Sequence, residues 1–120
     1  GNTSDAINYY KKWLSSKPRS LIAGDFNNSS IWDKGNKDNN FQNINKKLNQ
    51  LNFLSSYHKN TSEEFGNETI GTLFHTKNRD KKYFIDYIYV KGMKVDRVDI
   101  GDYNDWISYS DHMPVIANFT

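Results

Sequence analysis

The stretch LIAGDFNNSS, Leu21 to Ser30, changes from apolar to polar residues within a few positions. A short apolar run followed by turn-forming residues is typical of a buried β-strand that ends in a loop. The acid Asp25 and the amide Asn27 follow this run, and residues two apart on a strand point to the same side. Because ligands of α/β proteins bind where strands end, the pair is a first candidate site. The alternative is ordinary loop chemistry.

The segments around this strand predict a layered α/β domain with antiparallel pairing late in the chain. Apolar residues spaced three or four apart indicate helices at 4–16 and 40–51, separated by the strand and a polar loop at 28–40. The first helix is expected to bury the stripe Ala6, Ile7, Tyr10, Trp13 and Leu14. The remaining strands are predicted near 52–59, as a β-hairpin of 72–76 with 83–90, at 94–100 and at 115–119.

Composition limits the possible functions of the chain. A length of 120 residues allows one domain with one core, so residues 1–120 are expected to form a single domain. A net charge of +2 excludes a polycation that binds nucleic acid by bulk charge alone. The absence of cysteine excludes disulfides, thiolate catalysis and cysteine-based zinc sites. No apolar run approaches the length of a membrane span. The abundant Asn and Lys residues are typical of a bacterium with an AT-rich genome, and the compartment stays open.

Asp86 lies inside the apolar and aromatic stretch YFIDYIYV, residues 83–90. Alternation places it on one face with Ile88 and Val90, opposite the tyrosines. Both faces are apolar, and a carboxylate among apolar side chains is costly unless it is paired. Asp86 is therefore expected to face a buried partner, and the alternative is an edge strand with Asp86 in solvent.

The third candidate is the adjacent pair Asp111 and His112 in SDHMPV, just before the last strand. Neighbouring side chains can flank one site, where a carboxylate binds a hard metal ion and a histidine acts as general acid or base. An Asp-His pair in a loop also occurs without any function. His58 and His75 are interpreted as structural or surface residues, and the basic stretch 77–82 as a solvated hairpin tip that could guide an anionic substrate.

Three motifs occur in order along the chain: Gly-Asp-Phe-Asn after an apolar strand, Ile-Asp-Tyr-Ile inside an aromatic strand, and Ser-Asp-His-Xaa-Pro-Val before the last strand. Together they resemble the endonuclease/exonuclease/phosphatase family, the deoxyribonuclease-like metal-dependent phosphohydrolases. The resemblance covers nearly the whole chain, and the segment Thr72–Phe74 fits the hairpin of that family. It implies an α/β (α+β) fold, a four-layer α/β/β/α sandwich. This chain would form the C-terminal half, with a mostly antiparallel sheet and two helices on one face.

The resemblance also implies a role for each motif residue. Asp25 would orient or deprotonate the attacking water, and Asn27 would bind a phosphate oxygen. Asp111, together with Asp25, would lie at a Mg²⁺ or Mn²⁺ ion. His112 would contact the phosphate and stabilise its developing charge. Asp86 would accept a hydrogen bond from the other nitrogen of His112, which would explain a carboxylate inside an apolar strand.

The family's principal metal-binding glutamate is expected in a missing N-terminal half. We therefore expect this chain to be a truncated domain that binds metal weakly and is inactive or slow alone. An uncovered sheet face would expose an apolar patch around YFIDYIYV, so self-association is also expected.

Three interpretations stay open at this stage. The first is part of a metal-dependent phosphoesterase that hydrolyses phosphodiesters or phosphomonoesters. The second is a non-catalytic binding or assembly module that retains the fold, and the third is a small complete protein with a simple Asp/His metal site. The substrate could be a nucleic acid, a phospholipid headgroup or a small phosphoester. Trp32, in the loop 28–40, could stack on a base or a headgroup, or it could simply pack.

Overall fold

The computed structural model describes residues 2–35 and 40–120, so residues 36–39 of the predicted polar loop lie outside it. The α-helices are α1 (Thr3–Ser16), α2 (Phe41–Gln50), α3 (Ser56–Thr61) and α4 (Tyr103–Trp106). The strands are β1 (Ser20–Asp25), β2 (Leu54–Ser55), β3 (Leu73–Phe74), β4 (Lys82–Tyr83), β5 (Asp86–Lys91), β6 (Val95–Ile100) and β7 (Val115–Phe119). Two 3-10 helices span Ser30–Gly35 and His75–Lys77.

The two long helices, α1 and α2, confirm the helices that the spacing of apolar residues predicted. The Asn2 side chain caps α1 by accepting the Asp5 N–H at 2.9 Å. The predicted apolar stripe of α1 is buried only in part, because Trp13 is 58% exposed whereas Leu14 is 6% exposed. The helix lies beside β1, and β1 is the edge strand of its sheet. One side of the stripe therefore extends beyond the sheet.

All strand pairs among the described residues are antiparallel. The main sheet has the order β1-β5-β2, while β3-β4 and β6-β7 form separate ladders. The predicted long hairpin is wrong in its second arm, because β4 ends at Tyr83 and β5 pairs with β1 instead. Asp86 is thus the first residue of a strand rather than its middle. The predicted strand at 52–59 is also wrong beyond β2, since Ser56 begins α3.

One face of the main sheet packs against both long helices, as expected. Tyr87 and Tyr89 of β5 are buried there in a cluster with side chains of the two helices, namely Ile7, Leu14, Phe41, Ile44 and Leu48. Large rings therefore form much of the core.

The opposite face of the sheet is only partly covered. Leu21 and Leu54 flank Val90 there and are 49% and 48% exposed, whereas Val90 itself is buried, so the face is open at its edges only. The prediction that β1 is a buried strand is therefore wrong, because the helices cover only one of its faces. The exposed apolar side chains belong to β1 and β2 and not to the tyrosines of β5. No helix in the described part of the chain combines the length and apolar character that crossing a membrane requires.

Candidate functional site

Asp25, Asp86 and His112 meet at one end of the main sheet. Asp25 and Asp86 are direct partners in the β1–β5 ladder, so their side chains lie on the same face. His112 comes from the segment before β7, which forms a bridge with Leu73 of β3. One ligand atom from each of the three side chains lies within 4.8 Å of the others. The structure therefore joins residues from all three sequence motifs.

The imidazole of His112 lies between two carboxylates. Its Nδ1 is 3.0 Å from Oδ2 of Asp86, and its Nε2 is 3.9 Å from Oδ2 of Asp25. The first distance is a hydrogen bond and the second is an ion-pair distance. The Asp86 side chain is 18% exposed, whereas that of Asp25 is 47% exposed. The inner carboxylate can orient the ring while the outer one remains accessible to a ligand.

Thr72, the residue just before β3, positions two of these residues, and the sequence analysis did not identify it as part of the site. The Thr72 hydroxyl accepts the backbone N–H groups of Ile85 and Asp86 at 3.0 and 3.2 Å, and Thr72 is fully buried. Its carbonyl accepts the Met113 N–H at 2.8 Å, next to His112. The sequence shows only a hydroxyl residue at the start of an apolar segment. Many structural threonines have the same context, so this feature does not identify Thr72 as part of a site.

Asn27 and Asp111 flank the group of three. Asn27 has a φ of 49°, so it lies in a left-handed turn beyond β1, and strand alternation with Asp25 does not apply to it. Its backbone N–H donates to Oδ1 of Asp25 at 2.7 Å, and the residue is exposed. Asp111 lies outside the group of three, and its carbonyl accepts the Phe74 N–H at 2.8 Å.

The charges around His112 favour its imidazolium form. Burial alone would lower the pKa of His112. The hydrogen bond and charge of Asp86, with the charges of Asp25 and Asp111, outweigh burial and raise the pKa above its ordinary value of 6.5. Burial also raises the pKa of Asp86, an effect that its hydrogen bonds with His112 and Thr72 only partly offset.

The raised pKa of His112 predicts a pH-dependent stability. The folded chain holds this proton more tightly than the unfolded chain, so the free energy of unfolding should fall as pH rises from 6.5 through the folded pKa. The stabilisation is fully present below 6.5. Urea unfolding at a series of pH values, with EDTA present, measures the fall. His112→Ala should reduce the slope in this range, and an unchanged slope would contradict the assignment.

The other two histidines lie outside this site. His58 is buried, with its Nδ1 2.7 Å from the Ser55 hydroxyl and its Nε2 2.7 Å from Oε2 of Glu68. Its ring also stacks on Phe65. His75 is exposed at the start of a 3-10 helix. These placements agree with a structural role for His58 and a surface location for His75.

The side chains of the site suit a hard cation. Carboxylate oxygens are the ligands that Mg²⁺ and Mn²⁺ prefer, and the exposed carboxylate of Asp25 offers them. The donor atoms of Asp86 and His112 are close enough to join one metal, although they are hydrogen-bonded to each other. Asp25 is consequently the member of the group that best fits a metal ion.

Comparison with known proteins agrees with the motifs. The model of the Endonuclease/Exonuclease/phosphatase family matches residues 5–112 of the 120 residues. No curated protein and no solved structure matches the chain. The family includes divalent-metal-dependent phosphoesterases and nucleases that act on phosphoesters, which indicates hydrolase activity in general. The helices and antiparallel sheets described above are consistent with its fold. From the extent of the match, the chain belongs to the endonuclease/exonuclease/phosphatase family.

Proposed function

We propose that this chain carries part of the active site of a divalent-metal-dependent hydrolase of phosphodiesters or phosphomonoesters. The observation that supports the proposal is the position of His112, bonded to Asp86 and facing Asp25. An imidazolium beside an accessible carboxylate combines a cation for a phosphate oxygen with a base for water.

His112 is proposed to donate a hydrogen bond from Nε2 to a phosphate oxygen. Negative charge builds up on the phosphate oxygens as water attacks phosphorus, so a donor fixed beforehand stabilises the transition state more than the ground state. Asp86 acts through His112, because its carboxylate accepts from Nδ1, orients the ring and keeps it charged.

Asp25 is proposed to orient and deprotonate the attacking water. Its Oδ1 accepts the Asn27 N–H, which leaves Oδ2 on the side of His112. The exposed amide of Asn27 can donate to a second phosphate oxygen. A Mg²⁺ or Mn²⁺ ion would be bound by Asp25 and Asp111, and it would supply positive charge that neutralises the phosphate.

Two readouts test this proposal on the full chain. The first is hydrolysis of bis(4-nitrophenyl) phosphate and 4-nitrophenyl phosphate with Mg²⁺, with Mn²⁺ and with EDTA. The second is binding of inorganic phosphate, followed by the NMR signals of the His112 ring. Because the chain is expected to be slow or inactive alone, we expect at most slow hydrolysis, which EDTA abolishes, and phosphate-dependent shifts of His112. If the chain shows neither, the proposal is wrong, and the relative rates on the two esters distinguish a diesterase from a monoesterase.

A non-catalytic assembly module is the second candidate function. The observation that favours it is the partly covered face of the main sheet, where Leu21 and Leu54 are about half exposed on either side of the buried Val90. Half-exposed leucines on a sheet face can be buried by association with another surface. A second copy of the chain could cover the face, and self-association is compatible with either candidate function.

Self-association through this face is testable by sedimentation. We expect the average mass to rise with protein concentration, and Leu21→Asp to shift the equilibrium toward monomer because it places a charge in the apolar contact. The matched control is Ile116→Asp, since Ile116 is 56% exposed on β7, in a different ladder. A monomeric mass at every soluble concentration, or equal effects of the two substitutions, would contradict the prediction.

A further inference from the structure

The site continues beyond His112 along one face of a small antiparallel sheet. Tyr83 of β4 is the direct partner of Leu73 in β3, and Leu73 is the bridge partner of His112. Direct partners on antiparallel strands place their side chains on the same face. Tyr83, Leu73 and His112 therefore form a row that begins at the proposed phosphate-binding residue.

This face is accessible. Leu73 and Tyr83 are partly exposed, while their neighbours Thr72 and Phe74 are buried on the other face. The alternation agrees with the register, since Phe74 contacts the ring of Tyr103 away from the row. A ligand at His112 can thus extend over Leu73 without displacing core side chains.

Trp32 adds an aromatic ring at the far end of the row. Its ring centroid is 5.3 Å from that of Tyr83, with an interplanar angle of 41°, and it is 40% exposed. Adjacent strands are about 4.8 Å apart, so the Tyr83 strand lies roughly 10 Å from the His112 segment. That span is comparable to the distance from a phosphate, through a sugar, to a neighbouring base.

We propose that Trp32 and Tyr83 form a stacking site for an unpaired nucleobase, and that the substrate class is single-stranded nucleic acid. Unpaired bases bind aromatic side chains through their flat faces, independently of sequence. The inference rests on the proposed function, because the base reaches this pair when its phosphate is at His112.

Nearby charge supports a polyanionic ligand. The stretch 77–82 contains four basic residues and one acidic residue, and it leads directly into Tyr83. Lys81 is exposed one residue before β4, whereas Lys82 is the direct partner of Phe74 and therefore points to the other face. An exposed cation beside a stacking surface suits the backbone and bases of a single strand.

The test compares two ligands with the same phosphates. A fluorescent oligothymidylate and an abasic oligonucleotide of the same length are titrated with the full chain in EDTA, so that neither is cleaved. One stacked base corresponds to about 5- to 150-fold in affinity, so the oligothymidylate should bind tighter by that factor. Trp32→Ala should remove most of this preference, whereas Trp32→Phe should retain much of it.

Trp13→Ala is the matched control, since Trp13 is 58% exposed on α1 and should not affect binding. Equal affinities for the two ligands, or a preference unchanged in Trp32→Ala, would overturn the inference. The proposed function is tested separately by the abasic ligand. It should lose affinity in His112→Ala if phosphate binds there, and an unchanged affinity would count against that function even where Trp32 selects for bases.

Discussion

His112→Ala is expected to lower metal-dependent hydrolysis of a phosphodiester by about 100- to 1,000-fold, the usual effect of removing one donor that stabilises transition-state charge. The reason is the location of the ring, 3.0 Å from Asp86 and 3.9 Å from Asp25, where a phosphate oxygen would meet its free edge. The measurement is kcat/KM with saturating Mg²⁺, because this ratio reports the loss of transition-state stabilisation.

His75→Ala is the matched control for this substitution. His75 is exposed near the hairpin tip, so its loss should leave kcat/KM for a small nitrophenyl ester nearly unchanged. Equal losses in the two variants would show that removal of a histidine in general, and not the site, explains the effect. Full activity of His112→Ala would contradict the assignment directly.

Asp86→Asn separates two effects of Asp86, namely its hydrogen bond that orients the His112 ring and its charge that raises the pKa of His112. The amide can still accept from Nδ1 of His112, but the charge that raises the pKa of His112 is lost. The pKa of His112 should therefore fall, and the alkaline limb of the pH–rate profile should move to lower pH. A lower rate with an unchanged profile would indicate a merely structural role for Asp86.

Glu68→Ala is expected to lower the free energy of unfolding by about 3 kcal/mol. Oε2 of Glu68 lies 2.7 Å from Nε2 of His58, and both side chains are 6% exposed. The substitution leaves the imidazole without this partner inside the core, and it removes an acceptor of the Gly66 N–H. Domains of this size have about 5–15 kcal/mol of stability in total, so the loss is large.

Urea unfolding of Glu68→Ala beside Glu64→Ala measures this contribution. Glu64 is exposed in the same loop, so its removal should change stability by about 0.5 kcal/mol or less. Similar losses in both variants would show that the His58–Glu68 pair contributes little. Because the loop leads to Thr72, we also expect Glu68→Ala to shift the NMR signals of the His112 ring.

The spacing of apolar residues correctly predicted the helices and strands whose buried face comes from neighbouring residues in the sequence. The spacing of Phe41, Ile44 and Leu48 indicated α2, and burial of all three against β5 confirms it. The last strand begins and ends where its apolar residues indicated, at Val115 and Phe119. In these segments the residues that form the element also supply its buried face, so the sequence pattern is sufficient.

Pairing over long sequence distances could not be predicted in the same way. The pattern at 83–90 is continuous, yet the chain leaves the hairpin after Tyr83 because Ile85 and Asp86 donate to the Thr72 hydroxyl. The left-handed conformation of Asn27 likewise depends on its N–H bond to the Asp25 carboxylate. Side-chain acceptors of backbone N–H groups leave no periodic signal in a sequence.

The site itself was accessible from the sequence as three separate motifs. The cost of a carboxylate in an apolar strand predicted a partner for Asp86, and the structure places His112 at its Oδ2. Spacing alone could not predict this contact, because 26 residues separate the two. The metal at Asp111 and the phosphate contact of Asn27 stay predictions.

The hydrogen bonds made by Thr72 and Phe74 hold the segments of the candidate site in place independently of the hairpin tip. They attach the backbone beside Asp86 and His112 to the base of the hairpin, while residues 75–81 lie beyond these bonds. Insertions or deletions at the tip can therefore alter what approaches the site without moving the reacting groups. Related chains could acquire new substrates by exchanging this loop, and grafting a foreign tip between His75 and Lys81 is a direct route to redesigned specificity.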